Sequence, residues 1–521
     1  VYGLFVLASL GLITVVGTDF FPYVDSGQLR LHVRAPEGTR IEETERVFGA
    51  VEETVRRNLE HGELSAITDN IGLPNASFAL AWGDASTISS ADGEILISLN
   101  REHHRPTELV QRKLRAALRK EFPDETFFFQ AANITNQILN FGIPSPIDVQ
   151  IQSRDAVAGY KLATELQEKM SVVPGAVDVR INQQVKTPQL DLIVDRTKAD
   201  QAGLTQRDVA NSMLISLSSS GQTAPNQWLN PVNGVNYSIA VQTPQFKIDS
   251  LDALKRTPVT SPGGGSPQLL QNLLSGVKRS VTSSLVSHYN VQPVFDVYAN
   301  TDQRDLGGVV GDIQKIMDST KLPKGVTLVL RGQAETMKTS FRRLGLGAIF
   351  AILLVYLLMV VNFQSWLDPF IILTALPGAF AGILWMLFAT QTTINVPSLM
   401  GAIMSIGVAT ANSILLVTFA NDERMAGKDH MEAALSAGFT RLRPVLMTAL
   451  AMIIGMLPMS LGLGEGGEQN APLGRAVIGG LILATFSTLF FVPIVYSFLR
   501  RKAPVNQDEQ IELEAHEELI A

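Results

Sequence analysis

Val396-Pro-Ser-Leu-Met-Gly-Ala-Ile-Met-Ser-Ile-Gly-Val-Ala-Thr-Ala-Asn-Ser-Ile-Leu-Leu-Val-Thr-Phe-Ala420 runs without a single charged side chain. It exceeds the ~20 apolar residues that cross a hydrocarbon core. Working outward, it is one of six such stretches, the others being Val1–Thr18, Leu344–Val361, Pro369–Thr390, Pro444–Leu463 and Ala471–Leu499. Only the last holds a charge, Arg475, near its end. A buried helix of a soluble protein explains one such run but not six. The expectation is a membrane α-helical bundle of six spans, with a polar block from about Phe20 to Arg343 between the first two.

Val1 is not a start methionine, and the chain opens inside an apolar run with no charged flank, so it reads as a fragment of a longer polypeptide. A signal peptide would need a basic n-region and a small-residue cleavage site, whereas Thr18-Asp19 reads as a membrane exit. Arg424, Lys428, Arg441 and Arg443 lie between the fourth and fifth stretches, and Arg500, Arg501 and Lys502 follow the sixth. The loops Gln391–Asn395 and Gly464–Asn470 carry no basic residue. The positive-inside rule therefore puts the basic loop and the tail, residues 500–521, in the cytoplasm, and the polar block outside. Lys338, Arg342 and Arg343 are a local exception, tolerable because long domains translocate regardless of charge. Cysteine is absent, which removes disulfides and thiolate metal sites, and the net charge of −7 offers no basic footprint for nucleic acid.

Within the polar block, strand and helix signals alternate. Leu29–Ala35 alternates apolar and polar residues, Glu42–Leu59 has helical spacing, Glu94–Asn100 is a strand, Pro106–Lys120 a helix and Thr126–Gln130 a strand. A second copy of this split βαβ layout uses Asp148–Gln152, Ala156–Val172 and Ala176–Asn182, then Val291–Ala299, Leu306–Ser319 and Val326–Arg331. Two ferredoxin-like α+β subdomains follow from that rhythm. The insertion, about Val185 to Val281, has a strand at Gln189–Val194 and helical stretches at Thr197–Ala202 and Gln206–Leu217. Its Trp228–Val241 run holds Asn233-Gly234, the type I′ turn dipeptide, and predicts a hairpin arm.

No nucleotide-binding loop, Gly-x-Ser-x-Gly elbow or His-Glu-x-x-His motif is present, so an enzyme is not indicated and movement of a substrate would draw on an ion gradient. His103-His104 beside Glu102 is read as a solvated loop, because adjacent side chains diverge. No metal site or cofactor is expected. In the fourth stretch, Ser405, Ala409 and Ser413, or Gly407 and Ala411, let helix backbones approach closely. Asn412 is costly there without a partner, and interhelical bonding is its plain reading.

That stretch resembles the C-terminal half of resistance-nodulation-division (RND) efflux permeases. The other motifs carrying the likeness are Phe20-Phe-Pro-Tyr-Val-Asp-Ser-Gly-Gln28, Ala35-Pro-Glu-Gly-Thr39, Val194-Asp-Arg-Thr-Lys-Ala-Asp-Gln-Ala-Gly-Leu204, Gln364-Ser-Trp366, Arg441-Leu-Arg-Pro-Val-Leu-Met-Thr448 and Phe490-Phe-Val-Pro493. The resemblance implies two periplasmic porter subdomains, residues 25–142 and residues 145–184 with 282–332, and a docking subdomain at residues 185–281. It further implies an N-terminal half on the same polypeptide and a homotrimer in the bacterial inner membrane. A periplasmic adaptor and an outer-membrane channel would complete a tripartite complex, with small-molecule substrate taken from the periplasm or the membrane lipid, and proton antiport as the drive.

The family's proton relay pairs carboxylates of the N-terminal half with a lysine of this half, and the lysine position here is Ala411. The matching candidates left are Arg441 and Thr448, with Thr410 and Asn412 nearby, as a neutral polar support for an acid supplied from the other half. A shifted pH optimum or a cation such as Na⁺ are both open consequences. Metal-exporting members pass ions along methionines or carboxylates; the 25–142 subdomain has no methionine, which disfavours a thioether relay. Phe78 and Trp82 fall in a Gly/Asn/Ser/Thr-rich loop where relatives have a mobile segment, and with Phe127 and Phe129 they are the substrate-pocket candidates, core being the default for any strand aromatic. Hydrophobic or amphiphilic compounds are the expected substrates. The alternatives are a metal-cation exporter of the same family or a non-transporting receptor or assembly subunit.

Overall fold

The structure, a computed structural model, describes residues 2–501 except 73–86, 102, 141, 222, 262–263, 265 and 465. In the first lobe, the Gln28–Arg34 strand lies between Asp92–Leu99 and Thr126–Gln130, with Leu64–Ile71 at the edge beyond Asp92–Leu99, every pair antiparallel. Alternation sends Leu29, Leu31 and Val33 to one face, where helices Ile41–Asn58 and Thr107–Glu121 cover them with Phe48, Val51, Val55, Val110, Leu114 and Leu118. His32 and Arg34 are left on the opposite face, and both are buried there.

A second lobe repeats the arrangement. Ile147–Ser153 lies between Val326–Gly332 and Gln292–Thr301, and the latter also pairs with Ala176–Ile181 and Ser287–Tyr289. Helices Ala156–Ser171 and Leu306–Ser319 cover its apolar face, closing a core around Val149, Ile151, Leu166, Val297 and Ile313. Thr187–Val194 and Leu274–Thr282 form an antiparallel ribbon that leads into the inserted unit, whose own small core holds Leu204, Val209, Met213, Val259 and Leu270. Its first two helices start on side-chain caps: Asp195 accepts from the amides of Thr197 and Lys198, and Thr205 and Asp208 form a capping box.

The hairpin arm exists, but its turn differs from the expected one. Asn226–Leu229 pairs with Asn236–Ile239, so residues 230–235 form the loop, and of Asn233 and Gly234 only Gly234 has positive φ. Pro231 has no amide to donate to a ladder, which stops the strands before a two-residue turn can close. The side chain of Asn233 instead accepts from the Val235 amide, and that of Asn230 from the Val232 amide.

Five helical segments among the described residues are long and apolar enough to cross a membrane: Gln333–Phe363, Leu367–Ala389, Val396–Met425, His430–Ser460 and Ala471–Leu499. The first expected span is shorter, covering Tyr2–Val16 with a break between Leu10 and Ile13 where Gly11 and Leu12 make turns back to Ala8 and Ser9. Five of the six expected spans are thus found as full-length apolar helices among the described residues, and the first as a shorter one. The tail expected at 500–521 lies outside the described residues beyond Arg501.

Leu367–Ala389 and Ala471–Leu499 form the buried centre of the bundle, and Gln333–Phe363 and His430–Ser460 lie mostly exposed. Small residues set the central spacing. A Cβ on Gly479 would sit 2.5 Å from the Gly382 carbonyl oxygen, and one on Gly401 would sit 2.6 Å from that of Leu473. Lipid gives apolar side chains no reason to leave it, so helices here associate through such close backbone contact. Gly479→Val forces these helices apart; an overpacking penalty of ~1–3 kcal/mol is expected. It should appear as a lower thermal midpoint in detergent, which Gly311→Ala, at a glycine with open space around it, should not show.

Candidate functional site

The buried polar face of the first lobe meets the second lobe in a seam of paired charges. Asp178 sits at φ 55°, beside the register shift that separates Tyr298 from Asn300 in the pairing with Gln292–Thr301. A bulge re-aims side chains, and here it turns a carboxylate out of its own sheet. Arg115 donates to both its oxygens, at 2.9 and 3.0 Å. The Phe129 amide donates at 3.2 Å, and Asn300 Nδ2 joins Asp178 to the Phe129 carbonyl. Arg112 and Arg115 both reach Asp302.

Farther along the seam, the Phe128 ring is stacked on His32 and has the Arg180 guanidinium 3.6 Å from its centre. Burial, with the like charge of Arg34, pushes Arg180 down to about 9. Burial also lowers His32, against the opposing pull of Asp92. Burial alone would raise Asp92, yet His32, Arg34 and the Ile88 amide together hold its carboxyl below the usual range.

Where both lobes meet the helix ends, a cavity of about 920 Å³ opens. Phe20, Phe21, Tyr23 and Phe129 give it aromatic walls, Asp19, Asp25, Glu108, Asp302, Asp305 and Glu468 its carboxyls, and Arg112, Arg115, Arg304 and Arg475 its guanidiniums. Burial raises the Asp19 carboxyl, reinforced by Asp305. Burial raises Glu108 as well, with Asp302, Asp25 and Asp19 adding to it against Arg112.

The sequence-derived candidates are scattered. Phe129 borders both the first-lobe core and the cavity. Phe127, two residues away on the same strand face, is buried in that core and is not among the residues lining the cavity. Phe78 and Trp82 lie outside the described residues. In Val396–Met425, Thr410 and Asn412 are buried, Thr410 bonding back to the Ile406 carbonyl, while Ala411 is exposed on another side of the helix. Arg441 stands 5.0 Å from the Phe419 ring centre. Thr448 is exposed and bonds its own helix at Pro444 and Val445. Among the described residues, no hydrogen bond joins any two of these four polar side chains, so they do not form a closed cage.

The seam charges were not singled out in the sequence. One signal was present: Arg115 follows Leu114 on the buried stripe of an amphipathic helix, between Val110 and Leu118. Replacing Arg115 with Met leaves Asp178 buried and short of its main partner, which costs about 3–5 kcal/mol. The measured quantity is the thermal midpoint, and an unchanged value would remove the seam from the stability of the fold. A second expectation concerns Asp148, whose burial, with repulsion from Asp296, raises its carboxyl well above the ordinary value. Such a group supports the fold fully below its unfolded pKa of ~3.9 and loses that contribution as pH rises through the raised folded value. Asp148→Asn should therefore flatten the decline in thermal midpoint from acidic to neutral pH, and an unaltered slope would contradict the assignment.

Comparison with known proteins agrees with this architecture. The profile of the AcrB/AcrD/AcrF family matches residues 1–500. The cobalt-zinc-cadmium resistance protein CzcA of Cupriavidus metallidurans is 25% identical over 501 residues, covering 95% of this chain and 46% of that protein. The nickel-cobalt-cadmium resistance protein NccA of Alcaligenes xylosoxydans xylosoxydans is 28% identical over 499 residues, covering 94% of this chain and 45% of that protein. The swarming motility protein SwrC of Bacillus subtilis is 33% identical over 322 residues, covering 61% of this chain and 30% of its own. In fold, the X-ray crystal structure of a heavy metal efflux pump, crystal form II, is similar at a TM-score of 0.76 and 23% identity, covering 95% of this chain and 50% of that one. The chain thus spans about half the length of the curated CzcA and NccA relatives it matches. Lobes, inserted unit and apolar helices fall together within the one matched profile, and the chain belongs to the AcrB/AcrD/AcrF family of RND permeases.

Proposed function

We propose that this chain is the C-terminal half of an ion-driven RND pump of a bacterial inner membrane, exporting amphiphilic compounds as a homotrimer with a periplasmic adaptor and an outer-membrane channel. The cavity is the substrate vestibule in this reading, and it is the observation that carries it. Its volume of about 920 Å³ lies within the ~300–1,000 Å³ of sites that bury drug-sized ligands. Aromatic walls with an excess of carboxyls suit a molecule that is part apolar and part cationic. Phe129 contributes to that wall, and Phe78 and Trp82 remain pocket candidates. Thr410, Asn412 and Arg441 support an acid from the other half, and Thr448 faces outward toward the same partner.

Metal-cation export is the second reading, favoured by what CzcA and NccA are named for. Two observations weigh against it. Among the described residues, no group of three or more His, Asp or Glu side chains gathers as a metal cage would. Two of the four cavity guanidiniums, Arg112 and Arg115, also pair already with the cavity carboxyl of Asp302.

The test uses the whole pump that carries this chain, reconstituted in vesicles with an imposed proton gradient. Rhodamine 6G should be transported and Zn²⁺ should not, and Asn412→Leu should lower proton uptake. Zn²⁺ transport without dye transport would replace the first reading with the second, and unaltered coupling in Asn412→Leu would remove that residue from the relay.

A further inference from the structure

The segment Gly17–Phe20, where the chain leaves its first apolar helix, is bonded on two sides. On one side it pairs with the loop that precedes the Val396–Met425 helix. Asp19 donates its amide to the Ile394 carbonyl at 2.9 Å, Ile394 donates to Gly17 at 3.0 Å, and Val396 donates to Phe20 at 3.2 Å. Thr18 and Ile394 form a parallel bridge. On the other side the segment is bonded to the amino end of the second-lobe helix Leu306–Ser319. The Thr18 amide donates to Asp305 Oδ2 at 2.9 Å, the Leu306 amide to Asp19 Oδ1 at 2.7 Å, and the Gly307 amide to the Thr18 carbonyl at 2.8 Å.

Two glycines make this contact sterically possible. Gly17 has φ +72°, and a Cβ there would meet Asp305 Cγ at 2.8 Å; a Cβ on Gly307 would overlap Thr18 Oγ1. Phe20 then enters the second-lobe core itself, with Val396 packed against that core. Asp305 also caps its own helix through the Gly308 amide at 2.8 Å, so one carboxylate ties the exit segment to the helix start.

We infer that Gly17–Phe20 is a rigid transmission joint, carrying displacement of the membrane helices to the second lobe through the amino end of Leu306–Ser319, with Asp305 and Asp19 as positioning residues. It rests on the transport reading in needing a cycle to transmit. This chain has no cysteine of its own, so Thr18→Cys with Gly307→Cys places a single pair within it. The Cβ positions are 3.2 Å apart, within a few tenths of an ångström of disulfide spacing.

Three measurements on the whole reconstituted pump test it. The oxidised cysteine pair should transport rhodamine 6G as fast as the reduced pair; a loss on oxidation that reduction restores would make the contact a gate that opens, and overturn the joint. Asp305→Ala should lower dye turnover about tenfold at unchanged KM. Asp305→Asn, which keeps an acceptor oxygen, should restore it, and wild-type turnover in Asp305→Ala would also overturn the joint. Finally, spin labels at Gln391 and Lys315, read without substrate, should hold one distance at acidic and neutral pH and broaden in Asp305→Ala. A broad wild-type distribution sinks the joint whether or not dye moves, whereas a wild-type pump that moves no dye while keeping one label distance sinks the transport reading alone.

Discussion

The Asp178 carboxylate is the interaction on which the arrangement of the two lobes depends. It belongs to the second lobe, yet its bonds to Arg115 and to the Phe129 amide go to the first. Placing a charge where Asp178 is fully buried carries a desolvation cost that only a closely matched set of donors offsets. That requirement fixes the positions of the Thr107–Glu121 helix and the Thr126–Gln130 strand together. The cavity wall follows, since Arg115 and Phe129 line it as well.

In the helical part a different constraint governs. Backbone polar groups must be satisfied within each helix, so what remains to be specified is how closely helices approach. Gly382, Gly401 and Gly479 answer this by absence of side chain. Polar side chains then find partners at short range: Ser413 meets Thr488 at 3.1 Å, and Tyr496 donates to Asn421 at 2.7 Å while Asn421 donates to Asp368. Arg500 pairs with the same aspartate, which joins the ends of three helical segments.

The parts of this structure legible in the sequence are those set by local period. Alternation at Leu29, Leu31 and Val33 marks a strand covered on one face, and uncharged length marks the helices that can cross a membrane. Leu64–Ile71 was missed because it is an edge strand whose Ser65, Thr68, Asp69 and Asn70 carry no clean alternation. The seam was illegible for a stronger reason. His32, Arg34 and Arg115 look like solvated surface, and their burial is caused by a lobe whose contacting residues lie far along the chain, Asp178 63 positions from Arg115 and Asn182 148 from Arg34.

The two lobes are attached to the helices unequally, and that inequality has a mechanical meaning. The second lobe continues from its Val326–Gly332 strand directly into Gln333–Phe363, and it also receives the Phe20 ring in its core. A helix and a packed core both resist bending, because displacement there costs buried contact area and ladder bonds together. The first lobe meets the helix ends at Asp25, whose amide donates to Glu468 at 2.8 Å in an exposed position where water can take its place. The second lobe is thus tied to the helices more firmly than the first, which in turn meets the second across the Asp178 seam. The seam must hold against the desolvation of its charges. Shared partners meet that demand, since Arg112 and Arg115 share Asp302 and Arg119 reaches Asp178 at 3.6 Å, so each buried carboxylate faces more than one guanidinium.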